Sequence, residues 1–385
     1  MFVSVVENGG LVSQIVLVEQ ENLWLGKINI MEDDTNSKLW SLFDSIKDEK
    51  TMIETKGIME SKQKEVLIVD GYNLFIRAYM AIPTLNEDGV HTGGVSGFMK
   101  GMGYAIKLFG PDRVVVVFDG VGGSQKRRKI YPEYKDHKRT KVRLNRIYEE
   151  NTSLGEEEVS LKRQLQRIVI YLTYLPVYMV SLDQVEADDT IAHMALDYYK
   201  DWKVRIMSAD KDFLQLVNDR ISVWSPTKKR VYTPQDIIKE YGVSSDNFIF
   251  FKALQGDVSD NIPGITGFGP KTVIKAFPFL NGGKSTLDVI KHHGNENKGS
   301  LKVYDTLLDN WADFERNYAL MQLTDSYIRT VGQLRIKEVL DNQPPKMDEN
   351  GLAKMILEDK LWSSFPNFRG WVNEVFGRMN KILRG

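Results

Sequence analysis

Three short apolar runs rich in Val and Ile, Val66–Val69, Val114–Phe118 and Val204–Met207, punctuate the chain from Glu65 onward. The first two end directly on Asp70 and Asp119, and the third ends just before Asp210. Runs of four or five residues this rich in Val and Ile predict strands buried on both faces. Between them, apolar residues recur at helical spacing from Val95 to Phe109, Glu156 to Leu175 and Asp188 to Tyr199. Buried strands separated by helices predict an α/β fold, a mostly parallel central sheet flanked by helices. Functional groups of such sheets collect at the carboxyl ends of the strands, where these aspartates fall.

The pattern changes on either side of this core. In residues 1–62, Leu11–Val18 and Leu23–Ile30 read as two strands and Ser37 to Met59 as a helix, with eleven acidic against six basic residues. This stretch is either a small appended module or an extension ahead of a start at Met59. After residue 245 the chain turns helical around a Gly-rich hairpin. From Asp341 a Pro-containing linker leads into an amphipathic end with Trp362, Phe365, Phe368, Trp371, Val375, Phe376, Met379 and Ile382. Such a stripe usually packs on its own domain, and partner docking is the minority reading. The expected organisation is an extension at 1–62, a core at 63–245 with a basic insertion near 120–155, a hairpin domain at 246–340 and a helical tail at 341–385.

Composition narrows the chemistry. The 385 residues carry a net charge of −1 and no cysteine, which excludes disulfides, thiolate zinc and iron–sulfur clusters and suits a cytoplasmic setting. No apolar run approaches the roughly 18 residues of a membrane span. No global field draws the chain toward nucleic acid, so any basic footprint is local.

Nine acidic residues form five clusters at element ends: Asp70; Asp119; Glu186, Asp188 and Asp189; Asp210 and Asp212; Asp257 and Asp260. Alone, Asp70-Gly71 or Asp119-Gly120 is ordinary turn chemistry, and one acid at a helix start is an ordinary cap. Three acids in four positions exceed what a cap needs, because like charges oppose one another. Asp257 and Asp260, three apart, are expected to share one helical face. Five clusters gathered in one cleft require divalent cations, and an oxygen-only set suits Mg²⁺ or Mn²⁺ acting on phosphodiesters.

Ser124 to Arg146 holds ten Lys or Arg against two acids, interleaved with Ile130, Tyr131, Pro132 and Tyr134. A solvated loop would not need the aromatics, so nucleic-acid contact is favoured, with Arg and Lys on phosphates and Tyr stacking on an unpaired base. Gly264 to Thr272 reads as a helix–hairpin–helix: Gly267 and Gly269 permit close backbone approach, Pro270 opens a helix, and Lys271 and Thr272 lie where a phosphate would sit. A plain turn between helices would explain the glycines but not Lys271-Thr272.

Together LIVDGYN, VVVFDG, EADDTIA, SADKDF and GDVSDNIPGITGFGPKT resemble the flap endonuclease and 5′→3′ exonuclease superfamily, from about Val66 to beyond Phe277. VWSPTKKRVY and FERNYALMQLTD resemble its phage ribonuclease H branch, typified by the T-even phages. The resemblance implies a PIN-like nuclease core with a helical arch at Ser124–Arg146 and a duplex-binding hairpin domain. It implies that the nine carboxylates hold two or more Mg²⁺ ions, with Mn²⁺ able to substitute and room for a monovalent cation at the hairpin. Lys135 and Arg127 would act at the scissile phosphate beside Asp188. Arg128, Tyr134, Lys138, Arg139, Gly267, Gly269, Lys271 and Thr272 would contact nucleic acid.

The expected function is a structure-specific 5′ nuclease on 5′ ends or flaps of DNA and RNA/DNA duplexes, removing RNA primers in phage replication. Expected partners are those duplexes and replication proteins such as a sliding clamp or single-strand-binding protein, with no membrane and a monomeric state in the host cytoplasm. The rival from another class is a non-catalytic binder of branched DNA. A phosphatase with an aspartate nucleophile would want a second Asp two residues after Asp70, where Tyr72 stands.

Overall fold

The computed structural model describes residues 63–136, 144, 153–325 and 328–382. The strands and helix expected within 1–62 lie outside the described residues, as does most of the basic insertion beyond Asp136. Six strands form the central sheet: β1 (Glu65–Asp70), β2 (Arg113–Phe118), β3 (Tyr178–Ser181), β4 (Lys203–Met207), β5 (Ile221–Ser225) and β6 (Arg230–Tyr232). Their spatial order is β3-β2-β1-β4-β5-β6, with every pairing parallel except the last. The mostly parallel sheet matches the expectation. The sequence reading found β1, β2 and β4 but not β5, β6 or β3; the four residues of β3 alternate between buried and open positions at the sheet edge.

Period-two geometry divides the strand residues between two cores. Val66 and Ile68 of β1, Val115 and Val117 of β2, and Val204 and Ile206 of β4 face one core. Leu67, Val69, Val114, Val116 and Met207 face the other. Helices cover both faces, which removes the strands from water at about 1.5–3 kcal/mol per fully buried large aliphatic side chain.

The helices of the core are α1 (Gly71–Ala81), α2 (Gly93–Phe109), α3 (Gln125–Ile130), α4 (Leu154–Thr173) and α5 (Ala187–His193), the last continuing through a π turn at Met194–Tyr198. Helix α1 follows β1 without a loop because Asp70 caps it, accepting from the Asn73 N–H at 3.1 Å. Helix α4 opens on a reciprocal capping box between Ser153 and Glu156. Gly97 lets α2 cross α1 closely, since a Cβ there would sit 2.8 Å from the Ala78 methyl and 2.3 Å from Ile82.

Beyond the sheet lie α6 (Pro234–Tyr241), α7 (Phe248–Gln255), the two-residue strands β7 (Gly256–Asp257) and β8 (Ile262–Pro263), then α8 (Pro270–Ala276), α9 (Leu287–Glu296), α10 (Lys302–Asp309), α11 (Trp311–Met321) and α12 (Thr330–Asp341). The chain ends in α13 (Glu349–Glu358) and α14 (Phe368–Ile382). The aromatic stripe of the tail packs inward. Phe365, Phe368, Val372, Val375, Phe376 and Met379 join the second core, and Trp371 fills the notch left by Gly103 on α2.

One expectation is corrected here. Asp257 and Asp260 share no helical face. Gly256, at φ 73°, ends α7, and the chain turns into the β7–β8 hairpin with Asp257 on its strand and Asp260 in its turn.

Candidate metal and nucleic-acid site

The register of the sheet sets the carboxylates level. Asp70 of β1 stands opposite Val117 of β2, and Val69 opposite Met207 of β4, so Asp70, Asp119 and the Ser208–Asp212 turn emerge side by side. Asp70 is buried, and its second oxygen accepts the Ser208 hydroxyl at 3.0 Å. Ser208 in turn accepts the Asp210 N–H at 3.0 Å, and Asp210 accepts the Asp212 N–H at 2.9 Å. The two aspartates of SADKDF thus enter a 3₁₀ helix, Asp212–Leu216, in one fixed turn. Asp119 reaches from β2 to accept the Ala187 N–H at 2.8 Å, which fixes the start of α5 beside it. Helix α5 then presents Asp188 and Asp189 from its first turn, after Glu186.

Two groups of carboxylates form, each around a buried cation. In the first, the Arg127 guanidinium grips Asp189 with both terminal nitrogens, at 2.7 and 2.9 Å, and also pairs with Glu186. Its Nε donates to the Leu320 carbonyl at 2.7 Å. The Lys135 ammonium pairs with Glu186 and lies 3.9 Å from Asp260, while the Tyr134 hydroxyl donates to Glu186 at 3.1 Å and Asp260 at 3.0 Å. In the second, Lys252 bridges Asp212 at 2.8 Å and Asp257 at 2.6 Å. The β7–β8 turn joins the groups, because the Asp257 carboxylate also accepts the Asp260 N–H at 3.3 Å.

Electrostatics follow from this crowding. Burial pushes the Asp189 carboxyl upward, with Glu186 and Asp188 adding to it against the pull of Arg127. Burial also pushes Asp212 upward, opposed by Lys252 and reinforced by Asp210 and Asp257. Burial works against the Asp257 anion too, but Lys252 and Ser259 outweigh it and hold its carboxyl low. Desolvation opposes the Arg127 and Lys252 charges, yet their carboxylate neighbours overcome it and both stay protonated.

Among the described residues, no three acidic or histidine side chains converge as a ready ion cage, since several carboxylate oxygens turn to Arg127, Lys135 and Lys252. The donor chemistry nonetheless favours a hard cation. Among the described residues, Arg127 and Lys135 meet Glu186, Asp189 and Asp260, Lys252 meets Asp212 and Asp257, and burial raises Asp189 and Asp212. Carboxylate oxygens gathered in this way suit a hard divalent ion.

Two residues expected to meet nucleic acid do something else. Arg127 is 4% exposed and donates to Glu186, Asp189 and Leu320, so it braces the carboxylates in this structure. Tyr134 is 2% exposed, and its hydroxyl is held by two acids, so its ring is not open for stacking on a base. Arg128 donates to the Tyr134 carbonyl at 3.2 Å and the Lys135 carbonyl at 3.5 Å. Lys138 and Arg139 lie outside the described residues. On the hairpin, Ile265 and Phe268 are buried while Gly267, Gly269 and Lys271 are exposed and Thr272 is half-buried. Gly267 sits at φ 92°, and Gly269 precedes Pro270 at the first turn of α8.

Lys252, Ser208 and Asn73 escaped the sequence reading. Lys252 could have been found as the one charge in the apolar helix Phe248–Gln255, since a buried lysine must be paired. Asn73 accepts the Ala209 N–H at 3.1 Å and the Arg77 Nε at 3.3 Å, bracing β1 against the SADKDF turn. Its only signal was its place in LIVDGYN. No helix among the described residues is long and apolar enough to cross a membrane.

Comparison with known proteins agrees with this architecture. The family model for the 5′-3′ exonuclease N-terminal resolvase-like domain matches residues 65–242. A 5′-3′ exonuclease of Aquifex aeolicus is 32% identical over 257 residues, covering 66% of this chain and 76% of the relative. DNA polymerase I of Bacillus subtilis is 34% identical over 226 residues, 56% of this chain, yet the match spans only 23% of that polymerase. Among solved structures, a bacteriophage T5 flap endonuclease bound to DNA and metal ions superposes with a TM-score of 0.55 at 22% identity, covering 77% of this chain and 99% of that one. A bacteriophage T5 5′-exonuclease with zinc bound gives 0.55 at 23% identity, covering 77% and 98%; these two likenesses show the fold alone. The chain belongs to the 5′-3′ exonuclease family.

Proposed function

We infer that this chain is a Mg²⁺-dependent 5′ nuclease that hydrolyses phosphodiesters at 5′ ends or 5′ flaps of DNA and RNA/DNA duplexes. The observation that carries this reading is the continuous network of carboxylates at the C-terminal ends of β1, β2 and β4, closed by the β7–β8 turn. Asp70, Asp119, Glu186, Asp188, Asp189, Asp210, Asp212, Asp257 and Asp260 would hold two or more Mg²⁺ ions, with Mn²⁺ able to substitute. Bound there, the ions would clamp the scissile phosphate and lower the pKa of an attacking water.

The protein's own groups would supply position and charge. Asp119 and Arg127 hold Glu186 and α5 in place, and Lys135 would offset charge building on the phosphate. The exposed backbone at Gly267 and Gly269, with Lys271 and Thr272, would grip duplex phosphates without reading bases, which gives salt-sensitive selection of shape over sequence. Its relatives include a 5′-3′ exonuclease and DNA polymerase I. Removal of RNA primers in phage replication rests on the likeness of Val223–Tyr232 and Phe314–Asp325 to the phage ribonuclease H branch.

The test compares end-labelled nicked, 5′-flapped and RNA-primed duplexes, each with Mg²⁺ and then with EDTA. Cleavage near the 5′ junction that needs Mg²⁺ is expected, and Asp188→Asn should abolish it while retaining duplex binding. Tight binding with no product under any divalent ion would replace this reading with a non-catalytic binder of branched DNA.

A further inference from the structure

Lys135 occupies an unusual backbone state. Its φ is 53°, in the left-handed region, which strains a residue with a Cβ and so needs outside support. Side-chain donors supply much of that support. Four successive carbonyls of the turn accept side-chain donors: Tyr134 and Lys135 from Arg128, Glu133 and Asp136 from the Asn261 amide. The Asn261 contacts are 2.8 Å to Glu133 and a longer 3.5 Å to Asp136. The Lys135 N–H donates to the Asp260 carbonyl at 2.9 Å. Both Asn261 acceptors are carbonyl oxygens, so only its amide nitrogen can face them.

Asn261 is itself left-handed, at φ 58°, and follows Asp260 directly. Asparagine tolerates that state better than most residues. The turn that carries Lys135 and the turn that carries Asp257 and Asp260 are therefore clipped together through the Asn261 side chain and one backbone bond, beside the Tyr134 hydroxyl on the Asp260 carboxylate. We propose that Asn261 is a positioning residue for Lys135, fixing the left-handed turn that aims its ammonium at Glu186 and Asp260. The proposal rests on the nuclease reading above.

Two substitutions separate the side chain from the backbone. Asn261→Gly accepts φ > 0 freely but donates nothing, and Asn261→Asp keeps the shape while turning a carboxylate on two carbonyls. Single-turnover cleavage of a 5′-flap duplex at saturating Mg²⁺ is measured beside thermal unfolding and duplex affinity. Asn261→Gly is expected to keep its unfolding temperature and duplex affinity while cleaving about 10- to 100-fold more slowly, the scale of a misplaced catalytic group. Combined with Lys135→Ala, it should add no further loss, because both changes remove one function.

A wild-type rate for Asn261→Gly, or a loss that multiplies with that of Lys135→Ala, overturns the proposal while leaving the nuclease reading intact. Lys135→Ala at the wild-type rate overturns it together with the assigned role of Lys135. Failure of both Asn261 variants to fold would make the residue architectural and overturn the positioning role.

Discussion

The two halves of the carboxylate network solve the same electrostatic problem with different cations. Around Glu186 and Asp189 the charge is met by a planar, bidentate arginine whose side chain is 5% exposed, with Lys135 also on Glu186. Around Asp212 and Asp257 it is met by the ammonium of Lys252, on a side chain 12% exposed. A guanidinium fork matches a carboxylate in a fixed geometry, whereas an ammonium is a compact point charge on a flexible stem. The arginine fork is therefore the harder of the two for a divalent ion to displace. The lysine half is compensated in a way that a divalent ion could take over.

The largest effect should come from the arginine half. Arg127→Met would leave Glu186 and Asp189 buried without their fork, which costs about 3–5 kcal/mol for a broken buried pair. Urea unfolding should show that loss equally with and without Mg²⁺. Recovery of the Arg127→Met protein by Mg²⁺ would erase the distinction between the halves, because it would mean that an ion substitutes for the guanidinium as well.

Lys252→Met provides the counterpart. Asp212 and Asp257 keep some solvent contact, each with a side chain about 14% exposed, so the metal-free protein should lose less, about 2–3 kcal/mol. Millimolar Mg²⁺ should restore most of it, because an ion bound only to the folded state stabilises by mass action. A loss that Mg²⁺ cannot restore would place Lys252 with Arg127, as fixed structure.

How much of this was legible beforehand differs between the same regions. Asp70 and Asp119 announced themselves because buried parallel strands print continuous Val and Ile runs, and a carboxylate at the end of one stands out. The sheet class followed from the same runs. Arg127 and Tyr134 were legible as members of a basic, aromatic segment but not as buried braces, because their partners Glu186, Asp189 and Asp260 lie between 52 and 126 residues away in sequence for Tyr134 and 59 and 62 away for Arg127. The helical spacing of Asp257 and Asp260 misled because Gly256 breaks the helix one residue earlier. Local periodicity carries no record of such long-range pairing.

Proton linkage gives the smallest and sharpest comparison, because one raised carboxyl lies in each half: Asp189 beside Arg127 and Asp212 beside Lys252. A carboxyl raised by burial favours the folded state while protonated. Its contribution is complete below the unfolded value near 4 and is lost as pH rises through the higher folded value. Asp257, held low, has the opposite sign, but its contribution is lost only as pH falls below the ordinary aspartate range, so it does not oppose the trend above pH 4. Above pH 4 these two acids should therefore erode the stability of the metal-free protein, Asp212 up to about pH 8. Divalent ions bind the deprotonated carboxylates, so the stabilisation by Mg²⁺ should grow over the same interval, with protons released on binding. Unfolding temperatures with and without Mg²⁺ at each pH test this directly. If the lysine half alone accepts the ion, Arg127→Met should keep the pH-dependent gain and Asp212→Asn should flatten it; equal flattening by Asp189→Asn would show that both halves share the ion.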